Sequence, residues 1–196
     1  MKKGLITIIV LAVVAIGLYS WVKSNYNSMV NLDEGVQAAW SQVENVYQRR
    51  ADLIPNLVAT VKGYAEHEKS TLEGVINARS KATQITIDPT NLTPEALQEY
   101  QKAQGELGSA LGKLLAITEN YPDLKANQNF LELQSQLEGT ENRITVERQK
   151  FNETSKQYNS TIRQFPRNIL AGIFGFDKKP YFEAAEGADK APTVEF

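Results

Sequence analysis

The chain has 196 residues, 42% of them apolar, with 21 Lys and Arg against 23 Asp and Glu, one His and no Cys. That is one domain's worth of material, and 12 Gly with 7 Pro exclude collagen-like and low-complexity architectures. A formal charge of −2 offers no field for a phosphate backbone, so no nucleic-acid partner is expected, and the lack of Cys removes thiol chemistry, disulfides and a lipoprotein anchor together.

After a short tail, residues 1–4, Leu5 to Val22 reads LITIIVLAVVAIGLYSWV, 18 residues without a charge. At 1.5 Å rise per residue it spans about 27 Å of a roughly 30 Å hydrocarbon core. Tyr19 and Trp21 stand at its end, where amphipathic rings favour the membrane interface, and Lys23 stops the run. The stretch is longer than the apolar part of a secretory signal, and Gly17 to Asn25 lacks a small-x-small cleavage pattern. Residues 5–22 are therefore read as an uncleaved transmembrane anchor in the lipid bilayer. Lys2 and Lys3 before it outweigh Lys23 after it, which predicts a cytoplasmic N-terminus and a main domain outside. From Lys23 onward the chain is mildly acidic, with 19 basic and 23 acidic residues.

Residues 23–165 carry a helical pattern. Val36, Trp40, Val43 and Tyr47, then Ile54, Leu57, Val61 and Tyr64, then Leu72 and Val75 recur at spacings of three and four. Val46, Leu53, Val58, Ala65 and Ile76 widen the stripe, which suits a helix buried against two neighbours. Pro55 falls inside this phase without shifting it and no turn residues surround it, so a kinked helix from Asp33 to Gln84 is expected. Ile85 to Leu92, with Asp88-Pro89 and Asn91, reads as a connection. Thr93-Pro94-Glu95 starts a second helix through a hydroxyl cap, a proline whose missing N–H costs nothing there, and a carboxylate at the positive dipole end.

The second helix has an apolar face of Leu97, Tyr100, Leu107, Leu111, Leu114 and Tyr121. Beside it Gly105, Ser109, Gly112 and Ala116 form a stripe of small side chains, expected to pack closely on a neighbour. Tyr121-Pro122-Asp123 then opens a third helix, whose seam holds Phe130, Leu137, Ile144, Phe151, Tyr158, Ile162 and Phe165 before Pro166 stops it. The expected fold is all-α: a transmembrane helix followed by an elongated antiparallel bundle of three long helices. With three alternating directions, Phe165 emerges far from the bilayer, so the apolar segment 166–182 is expected at the distal tip. Residues 183–196 are expected to be a loose polar tail, and the stretch from Asp177 onward has only Tyr181 and Phe182 to anchor it.

The patterns that resemble enzyme motifs are incomplete. His67-Glu68 begins like the zinc motif H-E-x-x-H, but Thr71 fills the second ligand position and the chain has no other His. Gly112-Lys113 resembles the end of a phosphate loop, yet Leu107 and Leu114 replace its first glycine and its hydroxyl residue. A Ser-His-Asp triad would need His67 and finds no nucleophile elbow. No catalytic residue, metal or cofactor is expected. Arg50 and Glu68 fall on seam positions of the first helix, with Arg49, Asp52 and Asn56 beside the kink, and Glu141 and Arg148 on the seam of the third. Buried charges need partners, so interhelical ion pairs are the first expectation here and a binding site the second.

At these residues the sequence resembles the LemA family: an N-terminal anchor, then Trp40, Val46-Tyr47-Gln48-Arg49-Arg50-Ala51-Asp52-Leu53-Ile54-Pro55-Asn56-Leu57-Val58, Glu119-Asn120-Tyr121-Pro122-Asp123-Leu124-Lys125, and Phe165-Pro166-Arg167-Asn168. Ala171-Gly172-Ile173-Phe174-Gly175-Phe176 and Lys179-Pro180-Tyr181-Phe182 complete the pattern. The resemblance implies a bacterial membrane-anchored helical bundle without established catalytic residues. Some such proteins are associated with building intracellular membrane compartments, and others lie near membrane protease genes. It also implies a short N-terminus outside, opposite to the charge count. The expected function is a non-enzymatic scaffold of the cell envelope that self-associates, with Ile169, Leu170, Ile173, Phe174 and Phe176 as candidate contact residues. The alternative is an adaptor for an envelope protein, such as a membrane protease, acting through Arg49, Arg50, Asp52 and Asn56.

Overall fold

Helix α1 runs without interruption from Lys2 to Lys62, 61 residues and about 90 Å, so the apolar N-terminal stretch, long and apolar enough to cross a membrane, and the first bundle helix are one rod. The computed structural model describes residues 2–65 and 67–183; the expected polar tail lies outside the described residues beyond Glu183. Along the stretch from Leu5 to Tyr19 every large apolar side chain is more than half exposed, and nothing among the described residues covers it. The remaining helices are α2 (Lys69–Gln84), α3 (Pro94–Thr118), α4 (Pro122–Lys125), α5 (Gln128–Arg163) and α6 (Arg167–Phe174), with a 3-10 turn at Pro89–Asn91. No strand occurs among the described residues, and the fold is all-α.

The expected single helix from Asp33 to Gln84 is corrected here. The chain leaves the helix at Gly63, where Tyr64 and Ala65 donate back to the Val61 carbonyl, and α2 returns antiparallel to α1. The apolar spacing could not reveal this break. Ala65 and Leu72 point to the same distal core from both sides of the reversal, so the phase reads as continuous. Pro55 is helical as expected.

Thr93 caps α3, its hydroxyl accepting from the Ala96 N–H at 3.2 Å. The expected third helix begins with the single turn α4, and Asn127 then caps α5 through the Phe130 N–H at 3.1 Å. The small-residue stripe of α3 is a second correction. Gly105, Ser109, Gly112 and Ala116 are exposed, and a Cβ on either glycine would meet nothing within 4 Å.

The extra reversal changes the direction of everything after it. α5 runs antiparallel along α1, with Arg50 against Glu141, Gly35 against Thr154 and Asn25 against Arg167. The end of α5 and all of α6 therefore lie beside Asn25 and Tyr26, just above the anchor, and not at the distal tip as expected.

Two cores follow one another along the rod. The distal one gathers Ile54, Leu57, Val75, Leu107, Leu114 and Phe130 from α1, α2, α3 and α5. The proximal one is built on α1 and α5 around Trp40, with Met29, Tyr100, Phe151, Tyr158 and Phe182. Trp40 packs edge-on against Tyr100 and Phe151 and stacks on Phe182 at 6.0 Å between centroids, a contact geometry that aromatic rings favour.

Candidate functional site

Pro55 has no N–H, so it cannot bond the Ala51 carbonyl one turn back. That carbonyl, on a buried residue, instead accepts from the Arg79 Nε of α2 at 2.7 Å. The proline thus opens an acceptor on α1 that docks α2.

One turn earlier, Arg50 is buried between three helices. One guanidinium nitrogen donates to the Glu141 carboxylate of α5 at 2.9 Å. The other donates to the Gln104 backbone carbonyl at 3.0 Å and side-chain oxygen at 2.8 Å. The Gln104 amide in turn donates to the Ala82 carbonyl of α2 at 3.3 Å. Arg50 ties α1 to α3 and α5, the interhelical role expected of a charge on the seam. The Gly108 position lies 3.9 Å from the same guanidinium, ordinary van der Waals contact.

The other members of the expected kink cluster do not converge with it. Arg49, Asp52 and Asn56 are exposed, and the Asp52 carboxylate accepts only from Gln48 one turn away, at 2.8 Å. His67 is exposed in the turn between α1 and α2. Glu68 accepts from the Tyr121 hydroxyl at 3.0 Å, and that hydrogen bond raises the tyrosine's pKa above its ordinary value. Among the described residues, no three His, Asp or Glu side chains are grouped to hold a metal ion.

A cleft of about 880 Å³ opens above Arg50 between α3 and α5. Its floor is Tyr47 and Arg50, and Glu99, Lys102, Glu141 and Arg148 line its walls. Charges of both signs suit a polar protein surface better than a small anion or cation. Burial raises the pKa of the Tyr47 phenol, with Arg148 and Arg50 pulling the other way. Burial also raises Tyr100, 5.4 Å away between centroids, well above the usual phenol range.

The segment expected to be loose from Asp177 is corrected up to Glu183. Residues 176–183 are an extended strap that runs back up the rod antiparallel to α5. The Asn159 amide donates to the Lys179 carbonyl and accepts the Lys179 N–H, both at 2.8 Å. Seven residues earlier Asn152 does the same with Phe182, at 2.9 and 2.8 Å. Each amide serves the strap as a neighbouring backbone would. Lys179 closes an ion pair with Asp33 at 2.8 Å, and Arg148 covers the Phe182 ring and donates to the Glu183 carbonyl. Sequence reasoning did not single out these asparagines. The available signal was an Asn pair at the same seven-residue interval as Phe151 and Tyr158.

Of the expected distal contact residues, Leu170 is buried and Phe176 is partly buried against the proximal core, while Ile169, Ile173 and Phe174 are exposed. Gly175 ends α6 at φ 74°, a left-handed conformation open to glycine, and lets Phe176 donate to the Ala171 carbonyl.

Residues 39–196 match the model of the LemA family. Over 95% of its length the chain is 29% identical to magnetosome protein MamQ 1 of Paramagnetospirillum magneticum, covering 74% of that protein. It is 27% identical to magnetosome protein MamQ of Magnetospirillum gryphiswaldense, over 92% of this chain and 74% of the other. Against Protein LemA of Metamycoplasma hominis the identity is 26%, over 89% and 76%.

Proposed function

The chain belongs to the LemA family, and from that premise we propose that it is a non-catalytic scaffold, anchored once in the bacterial inner membrane, whose bundle stands outside the cytoplasm and self-associates. The observation that carries this reading is the continuity of α1. A helix that is uncovered over its first third and core-forming over the rest has no hinge between the two parts, so the bundle moves with the anchor as one piece on about 60 Å of helix beyond Lys23. A rigid post suits holding copies or partners at fixed height better than turning over a substrate. Similarity to chains named as magnetosome proteins and as Protein LemA supports a membrane-associated, non-catalytic role. The excess of Lys2 and Lys3 over Lys23 supports the orientation.

The test is the mass of the full-length protein extracted in a mild detergent, measured by light scattering with the detergent contribution subtracted. A defined oligomer is expected, and a monomer at all protein concentrations sinks the scaffold reading.

The cleft above Arg50 favours a second reading, an adaptor whose partner docks between α3 and α5. Affinity purification from membranes with Lys102→Glu and Arg148→Glu decides between them. Loss of one specific partner with unchanged oligomer size supports the adaptor, and an unchanged set of partners removes it.

A further inference from the structure

Helix α6 is short and two-faced. Leu170 and Ala171 are buried against α1 and α5, whereas Ile169 is 53% exposed, Ile173 69% and Phe174 46%, and Phe165 just before the helix is 82% exposed. Ile169 and Ile173, four residues apart in α6, share one outward face, and Phe165 adds an exposed ring from the turn before the helix. Nothing among the described residues covers this face, and such an apolar surface is costly in water.

Its position along α1 identifies what does. Arg167 donates to the Asn25 side chain at 2.7 Å. Phe174 and Phe176 meet the Tyr26 ring edge-on at 4.9 and 5.7 Å. Val22, the last residue of the apolar run, packs against the same proximal core that holds Leu170 and Ala171. Tyr26 lies four residues beyond Val22, about 6 Å along the helix axis, which is within the headgroup layer if Val22 ends the hydrocarbon. The charges on the segments around α6 are more often basic than acidic, Lys23, Arg163, Arg167, Lys178 and Lys179 against Asp177, Asp33 and Glu34, with Lys179 and Asp33 paired, which complements an anionic lipid surface.

We propose that α6 is a second membrane contact, lying in the headgroup layer beside the anchor with Phe165, Ile169, Ile173 and Phe174 turned into the acyl boundary. The inference rests on the reading of residues 5–22 as a membrane span. It makes α6 a foot that braces the rod, so that the anchor crosses the bilayer and α6 fixes how the bundle tilts above it.

The chain has no Cys, so a single introduced thiol reports one site. The full-length variants Ile173→Cys, Val13→Cys and Leu131→Cys, each carrying a polarity-sensitive fluorophore, are reconstituted in phosphatidylcholine–phosphatidylglycerol vesicles that contain lipids with a quencher either near the headgroup or near the end of the acyl chain. All three positions are exposed, and an unchanged circular dichroism spectrum checks the fold. The Ile173 label is expected to be quenched by the headgroup quencher and the Val13 label by the acyl-chain quencher, and the Leu131 label, at the distal end, to be unaffected by either. Quenching at Val13 with none at Ile173 overturns the inference and leaves the anchor standing. No quenching at either position removes the anchor and the inference together. An unquenched Ile173 label that shifts to the blue with rising protein-to-lipid ratio assigns the face to a second copy and also overturns it.

Discussion

At the scale of the residue, the two positions that look least suited to a buried helix are the ones that join helices. Pro55 withdraws a donor and Arg50 brings a charge into the core, yet each is matched from another element, by Arg79 and by the Glu141 and Gln104 pair. Arg79→Ala should leave the Ala51 carbonyl unpaired and cost about 1 to 3 kcal/mol of unfolding free energy. In a Pro55→Ala background a helical N–H is restored and takes the same carbonyl, so Arg79→Ala should then cost less than half as much. A double-mutant cycle by chemical denaturation measures the difference, and additive effects would mean that the proline does not create the docking point. The sequence marked Pro55 and Arg50 as anomalies, but it could not identify the partners, because Arg79 stands 28 residues after the Ala51 carbonyl that it bonds and Gln104 stands 54 after Arg50.

At the scale of the element, the strap of residues 176–183 is held to α5 by two side-chain amides and one ring. Asn159→Ala should strip hydrogen-exchange protection from the Lys179 amide, and Asn152→Ala from the Phe182 amide, with α1 and the body of α5 unchanged. Each should cost about 1 kcal/mol, the net worth of a hydrogen bond or two. Exchange read by mass spectrometry on the peptide covering the strap checks this, and equal loss of protection throughout the rod would show that the strap has no separate stability. Helix starts and stops were legible where they depend on local chemistry. Thr93 with Pro94 fixes the start of α3, and Pro166 follows the end of α5. The turn at Gly63 was not legible, since its flanking apolar residues serve one core and keep one phase.

At the scale of the whole molecule, stability should be indifferent to pH through the neutral range and fall in alkali. Burial raises the pKa of Tyr47, Tyr100 and Tyr158 above the ordinary phenol value of 10.0. A neutral phenol favoured by the fold contributes stability that is fully present below the unfolded pKa and is lost as pH rises through the folded one. Thermal unfolding of the detergent-solubilised protein from pH 7 upward should therefore show a decline in Tm only above about pH 10, accompanied by phenolate absorbance that appears later than in unfolded chain. A decline beginning near pH 8 would contradict it.

The sequence by itself determined the long apolar N-terminal helix, the all-α class, the family and most of the buried face of each helix, because these depend on local hydropathy, spacing, capping and motif. Only the tertiary structure decided direction. One reversal at Gly63 that leaves the apolar phase intact turns α5 around, and with it carries α6 from the far tip to the membrane end. It also decided which charges meet and that the strap is pinned, since both depend on contacts between residues distant in the chain. A periodic pattern specifies which side of a helix is buried, but it does not specify which end points to the bilayer.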